Sequence, residues 1–180
     1  MNDALNRLNS LTDEEATAEL LKCCGSARWA RKVAARRPFN GERDLFEAAE
    51  RAWWALREED WLEAFSAHPK IGERRAERET GEEARRWSAE EQSGAGSAAT
   101  DVLDALREGN REYEEKFGHI FIICATDRSA EEMLAHLRRR LSNDDATELC
   151  VAAEEQRRIT ALRLRKLLNE RRDEGLEAGG

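Results

Sequence analysis

Three side chains stand where proton transfer or anion recognition would need them. His68, one of only three histidines, precedes Pro69, one of only two prolines, in AFSAHPKIGE (64–73). Proline biases the residue before it away from helical geometry, so the pair fixes an imidazole at the end of the amphipathic run DWLEAF. An ordinary imidazole exchanges protons near neutral pH, at a pKa of about 6.5. Such a group serves acid–base catalysis, or it caps a helix C-terminus through the dipole. In WSAEEQSGAG, Ser88 and Glu91 have capping-box spacing. The same stretch could instead offer helix N-terminal amides to an anion, with Glu91 as a hydrogen-bonding or proton-transfer group. Arg163 falls among Leu149, Ala152, Ile159 and Leu167 on the apolar stripe of a helix beginning near Asp145. A guanidinium in that position needs an anion, either a neighbouring carboxylate or a bound one.

The elements that must position these residues are helical. Ala, Arg, Glu and Leu dominate, and no proline follows Pro69, which is helix-forming composition. Thr12 with Glu15, Thr80 with Glu83, Ser88 with Glu91 and Ser129 with Glu132 are candidate capping boxes, each marking a helix start. The periodicity predicts helices over 13–23, 27–37, 42–58, 60–67, 73–86, 89–93, 97–116, 129–141 and 145–170. The exception is HIFIICA (119–125), a strand-like apolar run without a partner strand in the sequence. It is predicted to be a buried extended segment, whose backbone N–H and C=O groups need partners that a ligand could supply. The expected architecture is all-α, one compact domain of about eight or nine helices over 1–170, followed by a flexible charged and Gly-containing tail at 171–180.

Composition excludes several classes. With 38% charged and 40% apolar residues and a net charge of -8, the chain is apolar enough to fold and lacks a basic stripe for nucleic acid. Cys23, Cys24, Cys124 and Cys150 lack metal-ligand spacing, so reduced thiols in a cytoplasmic protein are expected. No apolar run has the length of a membrane span or signal peptide, and the C-terminal EAGG is not a peroxisomal signal. No metal site, phosphate-binding glycine loop or nucleophile elbow is present. Asn110, Tyr113 and Phe117 share a helix face with Leu103 and Leu106, which makes them core and polar anchors. The five tryptophans, Trp29, Trp53, Trp54, Trp61 and Trp87, are expected in the core.

Taken together, AFSAHPKIGE, WSAEEQSGAG, NREYEEKFGHIFIICATDRSAEEMLAHLRRRLSND and ELCVAAEEQRRITALRL resemble the bacterial branch of the 2-oxo-4-hydroxy-4-carboxy-5-ureidoimidazoline (OHCU) decarboxylases, which act in urate breakdown. The resemblance runs from LNSLTDEEA to about Leu168, and the spacing from His68 to Ser88 is a few residues longer than in eukaryotic members. It implies an all-helical fold and a cofactor-independent decarboxylation giving (S)-allantoin. Its implied site has His68 as the catalytic histidine and Glu91 as the acidic member. Substrate contacts would come from Pro69, Ser88, Ala89, Glu90, Glu91 and Gln92, from the main chain of Phe121, Ile122, Ile123, Cys124 and Ala125, and from Arg163. It also implies a small-molecule ureidoimidazoline substrate and a possible homodimer, while the charge and the lack of long apolar runs argue against a nucleic-acid or membrane partner. Two other readings stay open at this level: a helical interaction module without catalysis, and a same-fold decarboxylase for a related hydroxy-carboxylate heterocycle.

Overall fold

A computed structural model of the chain describes residues 3–71, 86, 87, 90 and 100–177, with side chains in the last helix as far as 169. Among the described residues there are eight helices and no strand: α1 (Asp3–Ser10), α2 (Asp13–Cys23), α3 (Ala27–Ala34), α4 (Glu42–Trp54), α5 (Glu58–Ser66), α6 (Thr100–Phe117), α7 (Ala130–Arg140) and α8 (Asp145–Glu177). None is long and apolar enough to cross a membrane. Internal contacts divide the chain into one unit of residues 1–61 with 157–180 and another of 62–156.

In the first unit, α2 opens with the expected capping box, in which the Thr12 side chain accepts from the Glu15 amide and Glu15 accepts from the Thr12 amide. Helix α1, absent from the periodicity, is held by distant partners. Arg37 donates to the carbonyls of Leu8 (3.0 Å) and Leu11 (2.5 Å), and Asn9 and Phe39 exchange hydrogen bonds of 2.9 and 2.8 Å. Helix α3 ends at Ala34, before Pro38, because its last residues close i to i+3 turns, Arg36 to Val33 and Arg37 to Ala34. Trp29 and Trp53 are buried with Leu20, Leu45 and Leu164, and the Trp29 indole donates to the Ala49 carbonyl at 3.0 Å. Trp54 departs from the expected core set. It is 44% exposed, since it follows Trp53 on α4 and therefore lies about 100° further round the helix.

The second unit is organised by α6 against α7. Their core joins Leu106 and Tyr113 from α6 with Met133, Leu134 and Leu137 from α7, and Ile71, Phe121, Ile123 and Ala125 pack into it. Gly109 is the contact point of the two helices, for a Cβ there would overlap the Leu137 side chain. Helix α7 starts with the second expected capping box, Ser129 with Glu132. The boxes at Thr80 and Ser88 and the helices expected over 73–86 and 89–93 lie wholly or largely outside the described residues. Helix α8 continues to Glu177, past the expected 170.

Candidate functional site

His68 sits where the sequence puts it, at the end of α5. The last turn tightens through i to i+3 bonds from Ala67 to Ala64 (3.3 Å) and from His68 to Phe65 (3.1 Å). Pro69 then turns the chain away. The exit is anchored twice on α6: Lys70 pairs with Glu114 at 2.6 Å, and Asn110 donates to the Ile71 carbonyl at 2.9 Å. Ile71 itself is buried. His68, half-buried, is thus placed by a fixed helix end on one side and a pinned loop on the other.

The 119–125 segment is non-helical, as expected. It begins where Gly118, at φ 72°, ends α6 in the left-handed region that glycine adopts without strain. Its first ring, His119, packs 5.3 Å from Phe65, which immediately precedes the His68 turn, and 5.5 Å from Tyr113. The helix end that carries His68 and the non-helical segment therefore meet within this unit.

The backbone of the segment is partnered in an alternating way. Arg140 donates to the Ile122 carbonyl at 2.7 Å, Glu155 accepts from the Cys124 amide at 2.8 Å, and Arg128 donates to the Cys124 carbonyl at 3.0 Å. Among the described residues, nothing pairs with the N–H or C=O of Phe121 or Ile123, nor with the N–H of Ile122 and Ala125. Phe121 and Ile123 are nevertheless buried, at 2% and 5% exposure.

Beneath the segment lies a buried polar cluster. Arg140 pairs with Glu148 at 2.5 Å, with both side chains nearly sealed from solvent. The Tyr113 hydroxyl donates to the same Glu148 oxygen, and Asn143 donates to the other at 2.7 Å. The Arg140 guanidinium also covers the Phe121 ring at 4.5 Å. Burial pushes the Tyr113 phenol well above its ordinary value; the hydrogen bond to Glu148 adds to the shift and the Arg140 charge opposes it. On the outer face, His136 lies between Arg128 (2.6 Å) and Arg139 (2.7 Å). Burial and those two cations lower its pKa.

Of the other residues singled out by sequence, Ser88, Ala89, Glu91 and Gln92 lie outside the described residues. Glu90 is exposed, and Trp87 before it is fully buried. Arg163 belongs to the first unit and is 5% exposed, on the same helix as buried Ile159 and Leu167, as its position in the stripe implies. Sequence reasoning passed over Arg140, Glu148 and Glu155. The signal that marked Arg163 was available for two of them, because Glu148, Ala152 and Glu155 share a helical face and all three are buried.

Comparison with known proteins identifies the family. The family model described as OHCU decarboxylase matches residues 9–165. The chain is 38% identical over 149 residues to the uric acid degradation bifunctional protein TTL of Arabidopsis thaliana, covering 83% of this chain but only 46% of that protein's length. It is 29% identical to the 2-oxo-4-hydroxy-4-carboxy-5-ureidoimidazoline decarboxylase of Haloferax volcanii over 89% of this chain and 93% of that one. For the Mus musculus enzyme of the same name the figures are 32%, 77% and 78%. A crystal structure of OHCU decarboxylase in the presence of (S)-allantoin superposes with a TM-score of 0.73 at 38% identity, covering 84% of this chain and 97% of that one. With the profile spanning all but the ends, and an all-helical fold shared with that structure, the chain belongs to the OHCU decarboxylase family.

Proposed function

We propose that this chain decarboxylates 2-oxo-4-hydroxy-4-carboxy-5-ureidoimidazoline to (S)-allantoin without a cofactor. The observation that carries the reading is the largely buried stretch Phe121–Ala125, whose backbone groups at Phe121 and Ile123 have no partner among the described residues, beside the helix end that presents His68. Extended main chain with unused donors and acceptors suits a planar ring bearing carbonyl and ureido groups. The family membership supplies the substrate class.

The chemistry asks little of the protein beyond orientation and proton delivery. The bond from the ring carbon to the carboxylate breaks and CO2 leaves. Its electron pair forms a C=C bond, while the pair of the neighbouring C=N moves onto nitrogen, which takes up a proton. The resulting enol loses its hydroxyl proton and gains one on the adjacent carbon, and delivery to one face sets the S configuration. His68 is the proton-transfer residue in this scheme, a type of role typically worth ~10² to 10⁴ in rate. Glu91 hydrogen-bonds the substrate hydroxyl and Arg163 holds an electron-rich oxygen of the ring or ureido group. Pro69, Ser88, Ala89, Glu90 and Gln92 complete the contacts. The reading includes operation in the cytoplasm as a homodimer, for which sedimentation equilibrium is the direct check.

Urate supplied with the two preceding enzymes, and circular dichroism of the product, tests the proposal. Added protein should speed the appearance of (S)-allantoin, and a chelator should leave the rate unchanged. His68→Asn should lose both rate and stereoselectivity. A slow racemic background at every protein concentration would end the proposal.

A further inference from the structure

The alternation along 121–125 has a geometric meaning. In extended chain, the N–H and C=O of one residue point to the same edge, and those of the next residue point to the opposite edge. The partners found at Ile122 and Cys124 and not at Phe121 or Ile123 follow that pattern, with Ile122 and Cys124 on one edge and Phe121 and Ile123 on the other. Among the described residues, three side-chain hydrogen bonds to the middle of the segment fall on the first edge: Arg140 to the Ile122 carbonyl, Glu155 to the Cys124 amide and Arg128 to the Cys124 carbonyl. Among the described residues, the second edge has no partner at Phe121 or Ile123.

We infer that Glu155 and Arg140 are positioning residues, standing in for a neighbouring β-strand on one edge of the segment so that the opposite edge is held open, at fixed spacing, for substrate. This rests on the proposed function, in which the segment's main chain contacts the substrate. A neighbouring strand would offer alternating carbonyls and amides; here a carboxylate receives the Cys124 amide and a guanidinium caps the Ile122 carbonyl. Each comes from a rigid helix. Arg140 ends α7 and is itself fixed by Glu148, Tyr113 and the Phe121 ring, whereas Glu155 projects from α8 and is 8% exposed. Charged partners suit the task because charge-assisted hydrogen bonds are shorter and stronger than neutral ones. Neither side chain needs to touch the reacting molecule.

The test uses the full chain with Glu155→Leu, which removes the acceptor, Glu155→Gln, which keeps an oxygen of similar reach, and Arg140→Lys, which keeps a donor and the charge. Steady-state decarboxylation and amide exchange of residues 121–125 by NMR are measured on each. Glu155→Leu should raise KM about tenfold with kcat changed less than about threefold, the pattern of lost ground-state and transition-state binding alike. It should also speed Cys124 amide exchange by at least about tenfold. Glu155→Gln should recover most of both effects, and Arg140→Lys should raise KM by a smaller factor. Unchanged KM and unchanged Cys124 exchange in Glu155→Leu would overturn the inference. So would equal losses in the Leu and Gln variants accompanied by a general fall in melting temperature. Should Glu155→Leu fail to fold, wild-type exchange decides: the Cys124 amide must exchange more slowly than those of Phe121 and Ile123. A wild-type chain that makes no (S)-allantoin would sink the proposed function, while the exchange pattern would still report on the clamp itself.

Discussion

Tyr113 is the only tyrosine in the chain, so tyrosinate absorbance reads this residue alone. The side chain is fully buried. It donates to Glu148 and receives Arg140 at 3.3 Å. Ionising it in place would put a second negative charge against the Glu148 carboxylate in a site closed to water. Burial is the largest cause of its upward shift from the ordinary value of 10.0, and the single guanidinium does not cancel it. Because the folded pKa lies above the unfolded one, the contribution to stability is intact below pH 10. It is lost as pH rises further, when the unfolded chain releases a proton that the folded chain keeps. Each pH unit in that window lowers the free energy of unfolding by about 1.4 kcal/mol, hence roughly 2.7 kcal/mol between pH 10 and 12. At ~2 to 4 °C per kcal/mol for a chain of this size, the melting temperature should fall by roughly 5 to 11 °C from this residue. Tyr113→Phe removes that slope, while lowering stability at neutral pH by ~1.5 to 3 kcal/mol through the lost hydrogen bond to a charged group. Other groups titrate in the same range, so the quantity to compare is the difference between the wild-type and Phe melting curves across pH. Tyrosinate absorbance should appear only together with loss of the far-ultraviolet helical signal. A reversible titration with its midpoint near 10, in a chain that keeps its helicity, would refute the argument.

Three further outcomes follow from packing and charge. Gly109→Ala gains about 1 kcal/mol of helix propensity but drives a methyl group into Leu137 in the closed α6–α7 contact, an overpacking cost of ~1 to 3 kcal/mol. The variant should melt at or below wild type, and stabilisation of a full kcal/mol in chemical denaturation would show that the helices are not so close. His136, shifted down by burial and by Arg128 and Arg139, with Glu155 opposing, takes up a proton less readily folded than unfolded. Its contribution to stability is present above the ordinary value of about 6.5 and is lost as pH falls through that value toward the folded one. Its ring resonances should titrate below those of a model imidazole, and His136→Gln should flatten the acid limb of the stability curve; a midpoint at or above the model value would count against this. Thr12→Ala breaks the α2 capping box and should cost ~1 kcal/mol by thermal denaturation.

The features legible in the sequence are those whose cause is local. The capping boxes at Thr12 and Ser129 need only residues three apart, and both form. The strand-like composition of HIFIICA is likewise sufficient to keep it out of the helices that flank it. Helix α1 was not legible, because what holds it comes from Arg37 and Phe39, far along the chain. Neither the Arg140 nor the Glu155 contact could be read from spacing, since each acts across a fold the sequence does not display. An extended stretch in an all-helical protein has no neighbouring strand to take up its amides and carbonyls, and leaving them buried without partners costs about as much as losing the hydrogen bonds outright. Among the described residues, that demand is met at Ile122 and Cys124, on one edge, by charged side chains from α7, from α8 and from the turn before α7. On the other edge, Phe121 and Ile123 keep that demand among the described residues, which is the physical reason that a ligand with alternating donors and acceptors should bind there in preference to water.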